Sequence, residues 1–392
     1  MLKTIFDIYS KEEIEANIAE IKELLNDKYS DKDILDELNY DMKEEFLSTA
    51  KARLRNEKDL YKDIGKDVLY FNEEDLRFST PKIIADYRAK KLKCNKIVDL
   101  CSGIGVQSNA FSDSCKEVLA IEIDPRKVKY AEENFKKKNL KFIIGDVLSE
   151  EIITKVKEFS PDTIFVDPER LAGEEERNLE SIKPNLKKLI KIYSKITSNI
   201  CIEIPPRIEN NKLKEFECEK EYLTLKNKLN RLNLYFGKLK EFDIRVSDAF
   251  SGVYIYNNDS AKKIKSNHKM GWYIYEISDA VIKAGLLNEL GKWTEADLLL
   301  GTDKNKVILT NNKPVIKFSC FAECYKVIDK TKNINEVNNI LKNNKFGKAV
   351  IKYSIEPKDY WKERNMFEKG LSGNKEAVIF KINKEYVIGE EV

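Results

Sequence analysis

The sequence predicts an α/β protein with a mostly parallel sheet, preceded by a helical domain and followed by a second α/β domain. Three observations carry this. Short apolar, β-branched runs (KIVDLC, EVLAIEI, LKFIIGD, DTIFVD, NICIEI) alternate with helical stretches such as RKVKYAEENFKKKN and NLKKLIKIYSKI, the pattern of βαβ units. The first run passes directly into a two-glycine turn, IVDLCSGIGVQS at residues 97–108. No glycine occurs before Gly65, and EEIEANIAEIKELL and DILDELNYDMKEEFLSTAKARL space their apolar residues at helical intervals.

Taken in order, residues 1–75 are expected to form the helical domain, 76–262 the sheet domain and 263–392 the last domain. The last zone opens with GWYIYEISDAVIKAGLLNEL and holds strand-like runs KAVIKYSI and EAVIFKIN. The Lys/Asn-rich stretch NKLKEFECEKEYLTLKNKLNRLN reads as a solvated helix or loop. No internal repeat is visible.

A net charge of +3 on 392 residues gives no bulk electrostatic argument for nucleic acid. No run approaches the roughly 18 apolar residues needed to span a bilayer. The first residues, MLKTIFDIYSKEEIEANIAE, carry acids where a secretory signal has an apolar core, so a cytoplasmic protein with no membrane partner is expected. Seven scattered cysteines fit reduced thiols. Cys320 and Cys324 are four residues apart with no second pair nearby, and no metal site is expected. A single histidine, His268, makes a His-dependent hydrolase hard to build.

The glycine turn follows the first strand, at the edge where open parallel sheets bind ligands. A dinucleotide site wants a third glycine, G-x-G-x-x-G, but Gly103-Ile-Gly105 is followed by Val-Gln-Ser. Asp99 is a poor neighbour for phosphate and suits a cationic ligand. S-adenosylmethionine carries an ammonium and a sulfonium and no phosphate. Glu122 ends the second strand, placed for a ribose diol, and Asp146 ends the third, near an adenine amino group. Each acid alone reads equally as a helix cap. Together, on successive strands, they form a cofactor-binding set with Ser102, Gly103 and Gly105 of the turn.

DLCSGIG, AIEIDP, IIGD and DTIFVDPER resemble the successive motifs of class I S-adenosylmethionine-dependent methyltransferases. LRFSTPKIIADYRAKKL, DPER in place of Asp-Pro-Ala-Arg, and WYIYEISDAVIKAGLLNEL resemble more narrowly the members with a THUMP-like C-terminal domain, over residues 65–392. The resemblance implies a Rossmann-like methyltransferase sheet with S-adenosyl-L-methionine as cofactor. FSTP is similar to the pre-sheet loop of the trimethylguanosine synthase family, which implies that Ser79 and Thr80 face the cofactor carboxylate. The alternative, compatible with it, is that one of them caps the helix PKIIADYRAKKL with Pro81 at its first position.

The fourth strand ends in Asp167-Pro168-Glu169-Arg170, from which this fold addresses the acceptor. Asp167 would accept a hydrogen bond from an acceptor N–H, Glu169 would serve as a weak base, and Arg170 would pair with phosphate or carboxylate. Asp167 reads equally as a helix cap, and Arg170 as a neutraliser of the acids in PERLAGEEER. The aromatic that exocyclic-amine methyltransferases carry after this motif is missing, as is the Trp-bearing loop of trimethylguanosine synthases, so cap methylation is not expected. Cys201 lies amid apolar strand residues and reads as core rather than as a nucleophile.

In the last zone Tyr353, Tyr360, Trp361 and Arg364 form a set suited to tracking a backbone and stacking a base, or to covering an aromatic core. The preferred function is S-adenosylmethionine-dependent methylation of a structured RNA, tRNA or rRNA. The rivals are a methyltransferase acting on a protein or small metabolite, and a non-catalytic cofactor-binding RNA-binding protein.

Overall fold

The computed structural model describes residues 3–58, 63–65, 70–170, 179–258, 261, 263–266, 269–296, 298–303, 306–315 and 319–392. The chain forms two compact units, Met1–Glu221 with Arg231–Glu241, and Tyr222–Asn230 with Phe242–Val392.

The first unit begins with helices α1 (Lys11–Asn26), α2 (Asp31–Glu37) and α3 (Lys43–Lys58), followed by α4 (Glu73–Phe78) and α5 (Lys82–Lys91). Ser10 and Ser30 start α1 and α2 with reciprocal capping boxes to Glu13 and Asp33. Ile14, Ile18 and Ile21, one face of α1, are buried in the same core as Phe46 of α3, Ala85 of α5 and Phe111. The N-terminal helices therefore share a hydrophobic core with the elements that follow.

Next come β1 (Lys96–Leu100), α6 (Val106–Ser114), β2 (Glu117–Glu122), α7 (Pro125–Asn134), β3 (Leu140–Ile144), α8 (Glu150–Phe159) and β4 (Thr163–Val166). After β4 a short ribbon pairs β5 (Glu169–Arg170) with β6 (Ile182–Lys183), then α9 (Leu186–Tyr193) leads to β7 (Ile200–Ile204). The strands run β3-β2-β1-β4-β7, all parallel. This is the mostly parallel, Rossmann-like sheet that the sequence predicts, with β1 paired on both sides so that chain order reverses there.

The Lys/Asn-rich stretch is a short 3-10 turn and a mostly exposed loop up to residue 218, but from Glu219 it is neither helix nor solvated loop. It folds as a hairpin, β8 (Glu219–Leu225) and β9 (Lys228–Tyr235), with β9 antiparallel to β7. Lys226 and Asn227 take φ of 49° and 62°, the backbone that a tight two-residue hairpin needs. Glu219, Glu221 and Asn233 are buried. Tyr87 donates to Glu221 at 2.6 Å, and Lys91 lies 3.2 Å from the same carboxylate. Charged residues that look solvated in the sequence are inside because α5 supplies their partners.

The second unit holds the hairpin tip, β10 (Ile244–Asp248) and β11 (Tyr254–Tyr256), and an eight-stranded sheet. That sheet comprises β12 (Lys265–Ser266), β13 (Tyr273–Ile277), β14 (Leu298–Asp303), β15 (Lys306–Asn311), β16 (Ala322–Thr331), β17 (Phe346–Ile351), β18 (Lys375–Ile382) and β19 (Glu385–Glu391), in the order β12-β14-β15-β13-β16-β19-β18-β17. Helices α10 (Asp279–Ala284), α11 (Leu287–Thr294), α12 (Ile334–Asn343) and α13 (Pro357–Glu368) complete it. Among the described residues no helix is long and apolar enough to cross a membrane.

Candidate cofactor and acceptor site

A cavity of about 640 Å³ lies outside the carboxyl ends of β1 to β4, where such sheets place ligands. Its wall brings together Ser79, Thr80, Asp99, Ser102, Gly103, Glu122, Asp146 and Asp167. Gly105 does not line it. Its φ of 82° begins α6, and a Cβ there would stand 2.8 Å from the Phe142 ring and 3.1 Å from Ala131, so this glycine lets the helix pack closely. At Gly103 a Cβ would meet nothing within 4 Å, and φ is 55°.

Asp99 is fully buried on β1. Ser108 of α6 donates to its Oδ2 at 2.5 Å, while Oδ1, also buried, makes no hydrogen bond among the described residues. Burial, and then the charges of Asp167 and Glu122, push this carboxyl up to about 7 against the Ser108 bond and Arg88. The Ser102 hydroxyl is likewise buried without a hydrogen bond. An acceptor oxygen left open in a dry site calls for a ligand that donates. An ammonium does so, and the residues present fit S-adenosylmethionine.

Glu122 has a structural task as well. Its Oε2 accepts the Gly103 N–H at 2.8 Å, and its Oε1 accepts the N–H groups of Ile123 and Asp124 at 2.9 and 3.0 Å. It braces the glycine turn against β2 and, as a carboxylate with about four acceptor positions, keeps capacity for a further donor. Asp146 is exposed, and its Oδ1 accepts from Leu148 N–H at 2.8 Å. Ser79 does not cap α5. Its N–H and hydroxyl both donate to the Asp75 carbonyl, at 2.9 and 2.7 Å, ending α4. Pro81 is the N-cap of α5, whose first turn has no side-chain cap bond; proline, at the cap rather than inside the helix, has no oxygen to offer.

The described residues directly after Asp167 enter a strand and not a helix, which removes the helix-cap alternative. The chain passes through Pro168 into β5, where Glu169 stands opposite Lys183 and Arg170 opposite Ile182. The side chains of Glu169 and Arg170, and residues 171–178, lie outside the described residues. Lys183, Pro184 and Asn185 join Asp167 on the cavity wall. Cys201 is fully buried, and burial pushes its thiol up, as expected of core.

Sequence reasoning missed a second buried network. Arg88 of α5, fully buried, donates to Gln107 at 2.7 Å, to Asn233 at 3.2 Å and to Glu203 of β7. Its guanidinium sits 4.6 Å from the Phe165 ring centroid. Burial is the largest influence and opposes its charge, yet Glu203 first and then Cys201, Asp167 and Tyr235 together outweigh it and hold the guanidinium protonated. Arg231 of β9 reaches the other oxygen of Glu203 at 2.6 Å, and both line the cavity. The register Glu203↔Asn233 puts these groups on one face, a pairing visible only once the hairpin is recognised.

In the second unit, Tyr360, Trp361 and Arg364 meet on α13, with ring centroids 5.5 Å apart and the Arg364 guanidinium 5.4 Å from the indole. Tyr353 instead donates to Glu363 and packs on Tyr386.

Residues 94–260 match the family described as RNA cap guanine-N2 methyltransferase. The fold matches, over 98% of this chain and 99% of the other, a crystal structure described as a "putative methyltransferase" from Porphyromonas gingivalis W83, with 18% identity and a TM-score of 0.74. A SAM-dependent methyltransferase from Agrobacterium tumefaciens is similar over 35% of this chain and 49% of its own, with 17% identity and a TM-score of 0.27.

Proposed function

From the premise that the chain is an S-adenosylmethionine-dependent methyltransferase, we propose that it methylates a structured RNA, tRNA or rRNA. The observation that carries this reading is the composition of the cavity wall. Beside the three acids suited to the cofactor stand Arg77, Lys127 and Lys183, and Phe78, which is 37% exposed. Cations for phosphate and an accessible ring for a base are the two elements that RNA recognition uses. The family description points the same way. Cap methylation is not proposed: all three tryptophans, 272, 293 and 361, lie beyond the matched segment.

The bound cofactor would supply a methyl group on a sulfonium, already activated for displacement. Asp99 and Ser102 would hold its ammonium end, Thr80 its carboxylate, since Ser79 spends both of its donors on the Asp75 carbonyl, Glu122 its ribose and Asp146 its adenine. Asp167 would orient an acceptor N–H, aiming the nitrogen lone pair. Glu169 would take up the released proton and Arg170 would pair with a substrate phosphate. Trp361 and Arg364 of α13 would add a stacking contact for RNA, giving the C-terminal domain, 263–392, a THUMP-like role beside the methyltransferase domain, 76–262, and the N-terminal helices, 1–75. Such work suits the cytoplasm.

The test is transfer of labelled methyl from S-adenosylmethionine into tRNA and rRNA fragments, against protein and metabolite fractions. RNA should be labelled, with binding that weakens steeply as salt rises. Asp167→Ala should cut transfer by roughly 100-fold or more with cofactor binding retained. Label appearing only in protein or metabolites defeats the reading.

A further inference from the structure

Two segments of the first unit that line the cavity are joined by one ion pair, a buried carboxylate and a half-buried guanidinium. Asp75 of α4 itself lines the cavity, two residues before the wall segment Arg77–Thr80, and Arg126 of α7 follows the Glu122–Ile123 wall by three. Arg126 Nη1 donates to Asp75 Oδ2 at 2.8 Å, and Nη2 to Asp75 Oδ1 at 2.9 Å. The Asp75 side chain is fully buried. Its carbonyl, meanwhile, is the group that Ser79 binds twice. One residue thus anchors the Ser79 wall through its backbone and the Glu122 turn through its side chain.

The pair extends to the N-terminal helices. Glu45 of α3 lies 3.7 Å from Arg126 and accepts the Tyr130 hydroxyl at 2.5 Å, while the Arg126 guanidinium sits 5.2 Å from the Tyr130 ring. A two-pronged guanidinium–carboxylate contact fixes distance and orientation together, which an apolar contact of the same volume does not. Since buried ion pairs add little net stability over apolar packing, its position between two cavity walls points to registration.

We propose that Asp75 and Arg126 form a clasp that sets the spacing between the Ser79–Thr80 wall and the Glu122 turn, with Arg126 a positioning residue and Glu45 bringing the N-terminal helices into the cofactor site. The inference rests on the cofactor reading above. It assigns to residues 1–58 a part in ligand binding, beyond the core they share with α5 and α6.

Full-length protein carrying Arg126→Lys, which keeps the charge and loses the fork, and Arg126→Ala would be compared with the unaltered chain. Three quantities are read on each preparation: S-adenosylmethionine affinity by calorimetry, the melting temperature, and hydrogen exchange. Arg126→Lys should melt close to the unaltered protein, bind the cofactor roughly ten-fold more weakly, and exchange faster at residues 72–81 with β1 unchanged. Unchanged affinity in Arg126→Lys, or affinity lost only in step with melting temperature, overturns the clasp. If the unaltered protein itself fails to bind S-adenosylmethionine, the cofactor reading falls, and the clasp with it.

Discussion

Asp99 and Glu203 occupy strands of one sheet with β4 between them, and both are buried, at 0% and 1% exposure. Their surroundings differ. Both oxygens of Glu203 face arginines, Arg88 and Arg231. Asp99 has one oxygen satisfied by Ser108 and one that meets no donor among the described residues. A buried acid whose oxygens are both answered is part of the scaffold. One left half-answered beside a cavity is a candidate binding group.

The largest effect that tests this contrast is on stability at Glu203. Glu203→Ala leaves Arg88 buried without its main counter-charge, and should lower unfolding stability by about 3–5 kcal/mol, measured by urea denaturation. A variant that melts normally and loses only acceptor affinity would move Glu203 to the ligand side of the contrast.

Asp99→Asn should act the other way round, weakening S-adenosylmethionine binding by roughly 10- to 100-fold with the fold intact. The sign of its stability effect follows from the direction of the shift. Burial raises the Asp99 carboxyl to about 7, so the stability it contributes is present at low pH and is lost as pH rises through about 7. Asp99→Asn should therefore be the more stable protein at pH ~8 by denaturation. A less stable variant there would make Asp99 a scaffold acid like Glu203.

The smallest effect sharpens the comparison without mutation. An ammonium ligand needs Asp99 ionised, so cofactor affinity of the unaltered protein should fall below pH about 7, by at most about ten-fold per pH unit. Calorimetry across pH should show that slope flattened in Asp99→Asn.

The half of the site that holds Asp99 was legible in the sequence because local rules place it. Apolar runs define strand ends, two glycines define the turn, and an acid at each strand end follows by counting. The half that holds Glu203 was not. Arg88 sits in KIIADYRAKK, a stretch that reads as an ordinary basic helix, and its partners Glu203 and Asn233 are 115 and 145 residues away. The hairpin supplying Asn233 and Arg231 was hidden by its lysines and asparagines. Burial of charge is decided by partners, and partners across a sheet leave no local signature. Capping misled for a related reason: Ser79 bonds backward to α4 instead of forward to α5, and either direction satisfies the same sequence.

The hairpin β8–β9 has a consequence for how such a protein can be inherited. Its base, to Glu221 and from Arg231, belongs to the first unit and its tip, Tyr222–Asn230, to the second, which resumes at Phe242. Neither unit is one unbroken stretch of gene. A single recombination event, or a deletion beginning at residue 263, cannot transfer or remove the second unit whole, because it leaves the hairpin tip, β10 and β11 behind.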